Sequence, residues 1–137
     1  MSFATPAEQA KALKQLAGDE RAFQRRIEQY ARLRGWMAYS IPDSRRATER
    51  GYPDLTLVHP GGPPGPREPR VAWAEMKTDD GPIRAEQRAW LSALQRAARI
   101  ANQATGRELV GVFLWRPAVE ERVLAYLDTG EWKEEAA

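Results

Sequence analysis

The sequence predicts a single α/β (α+β) domain in which a mixed sheet of about four strands is flanked by helices. The first observation is the predicted order of elements, which is α-α-β-β-β-α-β-α. The second is the long helix between the third and fourth strands, because a connection of that length can make a parallel crossover. The third is the length of 137 residues, which suits one domain and leaves little room for a second core.

Two helices are predicted before the first strand. Thr5 and Glu8 form the pattern of a capping box around Pro6, which marks the start of the first helix. Gly18 is predicted to end this helix, and a second helix follows and ends at Gly35. The second helix has apolar residues at three-to-four spacing, which predicts one buried face. That stripe consists of Phe23, Ile27, Tyr30 and Ala31.

Four strands are predicted after these helices, each a short apolar or aromatic run bounded by turn-forming residues. They lie at residues 36–41, 55–58, 71–77 and 109–115. Residues 59–70 contain five prolines and three glycines, so we expect an exposed connection without regular structure there. The long helix is predicted over residues 84–105 and ends at Gly106, and a short amphipathic helix follows Pro117.

Composition excludes several classes of site. The chain has no cysteine, which excludes disulfides, thiolate zinc ligands and a cysteine nucleophile. The single histidine, His59, excludes multi-histidine metal centres, and we interpret it as a loop residue rather than a proton shuttle. No signal peptide or membrane span is recognisable, so we expect a cytoplasmic protein without membrane contact. The net charge of +2 barely indicates an anionic partner, although 17 of the 21 basic residues are arginine.

A group of charged residues is predicted where the second and third strands meet. Asp54 precedes the second strand, and Glu75 and Lys77 end the third on one face, because side chains alternate along a strand. If the two strands form a hairpin, the three side chains converge. Two carboxylates and a backbone carbonyl, that of Met76, are the hard oxygen ligands that Mg²⁺ prefers. Lys77 can then orient or deprotonate a water and neutralise charge on a phosphate.

The acid-x-Lys pattern is weak by itself, since Glu131 and Lys133 also match it in the polar tail. A surface ion pair at the strand ends is the alternative interpretation. Gln87 faces inward at the start of the long helix, either supporting the site or making a structural hydrogen bond. Glu28 lies at the margin of the second helix's buried face and is a further candidate ligand, the alternative being a solvated glutamate beside arginines.

Three arginines lie in the loop that ends at Asp54, namely Arg45, Arg46 and Arg50. They would flank the metal and could contact backbone phosphates, which positions DNA without reading its sequence. The alternative is a loop that is merely solvated by its arginines.

Three ordered motifs resemble one nuclease family. They are GYPDLTLV at residues 51–58, AEMKT at residues 74–78 and EQRAWL at residues 86–91. Together they resemble the VRR-NUC branch of the PD-(D/E)XK nuclease superfamily, particularly its small phage-type members. Residues 43–46 and 115–117 are also similar to recurring pieces of that family, and the similarity extends over about residues 21–127.

The resemblance implies a restriction-endonuclease-like core with a Mg²⁺- or Mn²⁺-dependent phosphodiesterase site. It implies metal ligation by Asp54 and Glu75, a catalytic role for Lys77, a motif glutamine at Gln87 and a helix-one acid at Glu28. Related stand-alone nucleases resemble Holliday-junction resolvases and tend to be homodimers, which implies a branched DNA substrate. The chain departs from the pattern at residue 84, where an arginine replaces the hydroxyl residue that would cap the long helix.

We therefore expect a metal-dependent DNA endonuclease that is selective for branched DNA, in the bacterial host cytoplasm if a phage encodes it. A DNA-binding or assembly module that keeps the fold without turnover is the alternative, and a sequence-specific restriction enzyme is a third. The latter has little room in 137 residues for an element that reads base edges. Residues 1–18 are predicted to be a helical extension, residues 19–129 the nuclease domain and residues 130–137 a polar tail.

Overall fold

The structure is a computed structural model that describes residues 5–41 and 50–134, and of residues 10 and 12–18 it describes the backbone alone. It has three α-helices and four strands in the described part of the chain. In chain order they are α1 (Pro6–Leu33), β1 (Met37–Ser40), β2 (Leu55–His59), β3 (Arg70–Met76), α2 (Ala85–Thr105), β4 (Val110–Trp115) and α3 (Glu120–Thr129). A short 3-10 helix, Pro117–Val119, precedes α3.

The four strands form one mixed sheet in the order β1-β2-β3-β4. β2 pairs antiparallel with both β1 and β3, whereas β3 and β4 are parallel. The helix α2 makes the crossover between these parallel strands, as its length predicts. The predicted α/β (α+β) class with a four-stranded sheet between helices is therefore confirmed. In the described ranges, no helix combines the length and the apolarity needed to cross a membrane.

The prediction of two separate N-terminal helices is wrong, because α1 continues without interruption through Gly18. Its predicted start is confirmed: Thr5 Oγ1 accepts from the backbone N–H of Glu8, and the Glu8 carboxylate accepts from that of Thr5. A glycine inside a helix costs only about 1 kcal/mol relative to alanine, and no proline follows Gly18 to stop the helix. The helix thus crosses the boundary predicted between residues 18 and 19.

The main core lies on the face of the sheet that α1 and α3 cover. Alternate residues of β2 and β3, such as Leu55 and Ala74, point into it, as the two-residue period of strands requires. The helices α1 and α3 contribute further large buried side chains, which include Phe23, Ile27, Val123, Tyr126 and Leu127. Outside the core, Arg26 and Glu120 form a 2.7 Å ion pair that joins α1 to α3.

His59 is not the loop residue that the sequence suggested. It is the last residue of β2, and only 1% of its surface is exposed. Its Nδ1 accepts from the backbone N–H of Gly61 at 2.9 Å, so its Nε2 carries the proton and donates to the carbonyl of Arg34, also at 2.9 Å. The ring also packs edge-on against Trp36. His59 therefore joins the end of α1 to the start of the Pro/Gly-rich connection.

Candidate active site

Asp54 and Glu75 lie opposite each other at one end of the sheet. The β2–β3 register ends with Leu55 opposite Ala74. Asp54 precedes Leu55 and Glu75 follows Ala74, so these two residues form the next opposed pair. Directly opposed residues of an antiparallel pair share one face, so the two carboxyl groups meet. Asp54 also closes the sheet at this point, because its Oδ2 accepts from the backbone N–H of Met76 at 2.9 Å. The predicted convergence of the two carboxylates is found.

Gln87 connects this pair to the start of α2. Its Nε2 donates to Glu75 Oε1 at 3.0 Å, and its own Oε1 accepts from the backbone N–H of Arg84 at 2.9 Å. Gln87 is 7% exposed, so this bond is shielded from water. The inward-facing glutamine that the sequence predicted therefore fixes the orientation of the Glu75 carboxyl group. It also satisfies the backbone N–H of Arg84 at the start of α2, where the donor-only side chain of Arg84 cannot act as an N-cap.

Glu75 is buried next to a second acid, and one of its carboxyl oxygens lacks a hydrogen-bond donor among the described residues. Burial raises the pKa of Glu75 to about 9, and the hydrogen bond and charge of Asp54 act in the same direction. The Oε2 atom of Glu75 is buried and has no hydrogen-bond donor among the described residues. Two carboxylates in contact repel each other and are stabilised by a shared proton or by a cation between them. The pair is therefore suited to bind one positively charged species, either a proton or a cation.

A divalent cation fits this donor set. In the described part of the chain, no group of three or more His, Asp or Glu side chains is arranged around a common metal position. The set that the sequence predicts is smaller: two carboxylates and one carbonyl, that of Met76, with water and phosphate oxygens in the remaining positions. The unpartnered Glu75 Oε2 beside Asp54 matches it, since both are hard oxygen donors. Ligation by the Met76 carbonyl stays a prediction.

Lys77 lies beside the carboxyl pair. Its backbone N–H donates to the carbonyl of Trp115 at 3.0 Å, which extends the β3–β4 ladder to the site. Its side chain is 9% exposed, and its positive charge lowers the pKa of Glu75 and Glu20, opposing the larger effect of burial. A cationic group in a buried position next to paired carboxylates is suited to hold or stabilise an anion there.

Glu20, an acidic residue of α1, interacts electrostatically with Asp54 and Lys77. It was not predicted from the sequence. Burial and then the negative charge of Asp54 raise the pKa of Glu20, whereas Lys77 and Arg84 act in the opposite direction. The predicted residue, Glu28, instead accepts from Gln24 Nε2 at 3.4 Å. The two glutamates are eight positions apart on one helix, which is about 12 Å along the axis. The structure does not bring Glu28 into the cluster.

One sequence signal could have found Glu20. It lies three residues before Phe23, so it continues the buried stripe of Phe23 and Ile27 by one turn. The assumed helix end at Gly18 placed Glu20 at a frayed start, where no stripe was expected.

A cleft of about 380 Å³ opens beside the carboxyl pair, and we call it the Arg84 cleft. Its lining consists of Arg50, Gly51, Tyr52, Asp54, Arg84, Glu86 and Gln87. Tyr52 is fixed in this wall, because its hydroxyl accepts from Trp73 Nε1 at 2.9 Å and its ring packs edge-on against Trp90. Of the three predicted DNA-binding arginines, Arg50 lies in the cleft, whereas Arg45 and Arg46 lie outside the described residues.

Comparison of the chain with protein-family models, with curated proteins and with solved structures finds no match.

Proposed function

We propose that the protein is a metal-dependent DNA endonuclease with a restriction-endonuclease-like core, similar to the VRR-NUC branch of the PD-(D/E)XK superfamily. The observation that supports this most strongly is the contact between buried Glu75 and half-buried Asp54, with Lys77 beside it. A stable fold gains little from a buried acid beside a half-buried one, when the buried acid has an oxygen without a donor among the described residues. Such a pair is suited to bind a cation, which is a functional rather than a structural reason for its presence.

Asp54 and Glu75 would hold Mg²⁺ or Mn²⁺, with the carbonyl of Met76 as a third ligand. A cation bound there would supply Lewis-acid stabilisation of a phosphate and lower the pKa of a bound water. Gln87 keeps the Glu75 carboxyl group in position through its 3.0 Å hydrogen bond. The ammonium group of Lys77 donates hydrogen bonds to the attacking water or to the phosphate oxygen that gains negative charge. Glu20 adds negative charge that favours cation binding.

The substrate and the assembly follow from the family resemblance rather than from the site. We include in the proposal a branched DNA substrate, such as a Holliday junction, and a homodimer working in the cytoplasm. An endonuclease that acts on both strands of a junction needs two sites, which a dimer supplies.

The test is cleavage of a labelled four-way junction, a flap and a matched linear duplex with Mg²⁺, Mn²⁺ or EDTA. Wild type should cut in either metal and not in EDTA. Lys77→Ala should reduce the rate at least about a hundredfold, the size expected for loss of a group that assists proton transfer or charge stabilisation. Because Lys77 is buried, the nearly isosteric Lys77→Met serves as a second variant, and thermal unfolding verifies that both are folded.

Lys133→Ala is the matched control, since Lys133 ends the second acid-x-Lys pattern but is exposed. It should cut at the wild-type rate. Cleavage by folded Lys77→Met at the wild-type rate would contradict the proposed site. Binding of DNA without cleavage in any metal would instead support the non-catalytic module, and cutting of all three substrates alike would remove the preference for branched DNA. Discrete fragments from long plasmid DNA would support a restriction enzyme.

A further inference from the structure

We propose that the Arg84 cleft is a phosphate-binding subsite in which Arg84 and Arg50 hold the DNA backbone next to the carboxyl pair. This inference rests on the proposed function. It adds Arg84 as a positioning residue and gives Arg50, which the sequence already suggested as a phosphate contact, a defined place in the site. Arg84 is a residue for which the sequence suggested only a doubtful helix start.

The two arginines are brought together by a close backbone contact. Gly51, directly after Arg50, lies so near the first turn of α2 that a Cβ atom on it would be 2.5 Å from the carbonyl oxygen of Glu86. Arg84 is the residue immediately before α2. The loop before β2 and the start of α2 therefore form opposite sides of one cleft, and each side contributes an arginine.

The position of Arg84 is tied to the carboxyl pair by hydrogen bonds. Its backbone N–H donates to Gln87 Oε1, and Gln87 Nε2 donates to Glu75. Its guanidinium group is near enough to the site to lower the pKa of Glu20, against the larger effects of burial and Asp54. The backbone of Arg84 is therefore fixed next to the site, and its positive charge acts on the acidic residues there.

Within the described part of the chain, no carboxylate pairs with either guanidinium group. Arg50 and Arg84 are exposed, and neither forms an ion pair or a side-chain hydrogen bond with any of the described residues. By contrast, two exposed arginines elsewhere are occupied by carboxylates, since Arg26 pairs with Glu120 and Arg107 with Glu68. An arginine without a carboxylate partner retains its full fork of donors for phosphate oxygens.

The lining of the cleft fits a phosphodiester better than a free metal ion or an apolar ligand. It contains two arginines and two carboxylates, Asp54 and Glu86. In the proposed enzyme the cation neutralises Asp54, so the side chains that line the cleft have a net positive charge. Arginine contacts of this kind position the DNA strand without reading bases, so they suit a nuclease that recognises shape.

The test measures DNA binding separately from cleavage. In the Lys77→Met protein, which should bind without cutting, the affinity for a labelled 20-base-pair duplex is measured by fluorescence anisotropy at several salt concentrations. Arg84→Gln and Arg50→Gln should each weaken binding about fivefold or more, and each should reduce the slope of log K against log salt by about 0.9 for a lost phosphate contact. Two duplexes of unrelated sequence should be affected equally.

The matched control is Arg88→Gln, one helical turn further along α2, where Arg88 is exposed but outside the cleft lining. Its affinity and salt slope should change less than those of the cleft variants. In the cleaving protein, Arg84→Gln should raise KM with little change in kcat, a split that a purely structural role would not produce.

Unchanged salt slopes in both cleft variants would overturn the inference even if the protein cuts DNA. Conversely, reduced slopes in a protein that cuts no substrate would support the subsite and contradict the proposed endonuclease. The two failures are therefore distinguishable.

Discussion

Gly51 lies directly against the backbone of Glu86, because a Cβ atom on Gly51 would be 2.5 Å from the Glu86 carbonyl oxygen. Gly51 also has a φ of 87°, a conformation that other residues rarely adopt. The glycine of the GYPD motif thus has two physical reasons to be glycine. It lets the loop before Asp54 touch the first turn of α2, which brings Gln87 within reach of Glu75.

Gly51→Ala should therefore destabilise the fold by at least about 2 kcal/mol, since backbone strain and a backbone clash add together. Gly106→Ala is the matched control, because Gly106 also has a positive φ, 69°, but no atom lies within 4 Å of its added Cβ. Urea denaturation of both variants isolates the cost of the close contact as the difference between them. Equal losses in the two variants would show that the contact with Glu86 contributes nothing.

His59→Ala should lower the free energy of unfolding by about 3 kcal/mol, since it removes two buried hydrogen bonds and leaves a cavity. Its effect on cleavage by the folded protein should be nil, because the length of β2, about 17 Å, separates it from Asp54. Val58→Ala, at the neighbouring exposed position, should change stability much less. A fall in kcat for folded His59→Ala would revive the proton-shuttle interpretation.

The sequence predicted the elements that follow from local patterns. The strands, the end of α2 at Gly106 and the capping box at Thr5 all depend on residues close together in the chain, and all are found. Asp54 and Glu75 could also be predicted, because a hairpin register brings together residues beside the strand ends.

What the sequence could not predict depends on how distant elements pack. Glu20 is a partial exception, because it continues the buried stripe of α1, but the helix end predicted at Gly18 hid that stripe and pointed to Glu28 instead. The burial of His59 depends on contacts with Arg34 and Trp36 at the far end of α1. The Arg84 cleft exists only because the loop at Gly51 meets α2. The burial of His59 and the cleft leave no periodic signal in the sequence.

The stability of the metal-free protein should fall as the pH rises from about 5 to 9. Burial and the neighbouring Asp54 raise the pKa of Glu75 to about 9, from 4.5 in an exposed chain. Between these values the folded protein retains a proton that the unfolded chain has released, so the free energy of unfolding decreases with increasing pH. The pKa of Glu20 is also raised, chiefly by burial, and contributes with the same sign.

Thermal unfolding in EDTA at pH 5, 7 and 9 measures this effect. Between pH 5 and pH 9 the Tm of wild type should fall further than that of Glu75→Gln, because the variant has no ionisable group at position 75. Excess Mg²⁺ should reduce the loss at pH 9, because the cation takes the place of the proton between the two carboxyl groups. Parallel pH curves for wild type and Glu75→Gln would mean that Glu75 is ionised in the metal-free protein.

The choice between Glu20 and Glu28 gives the sharpest comparison of the structure with the sequence-based hypothesis. Both are glutamates on α1, and both are half-buried. Of the two, Glu20 interacts electrostatically with Asp54 and Lys77, whereas Glu28 accepts a hydrogen bond from Gln24. Glu20→Gln should therefore raise the Mg²⁺ concentration for half-maximal cleavage about tenfold, as expected for loss of a supporting group around a metal. Glu28→Gln should leave the Mg²⁺ dependence unchanged, and the opposite result would restore Glu28 as the acid of α1 that acts at the site.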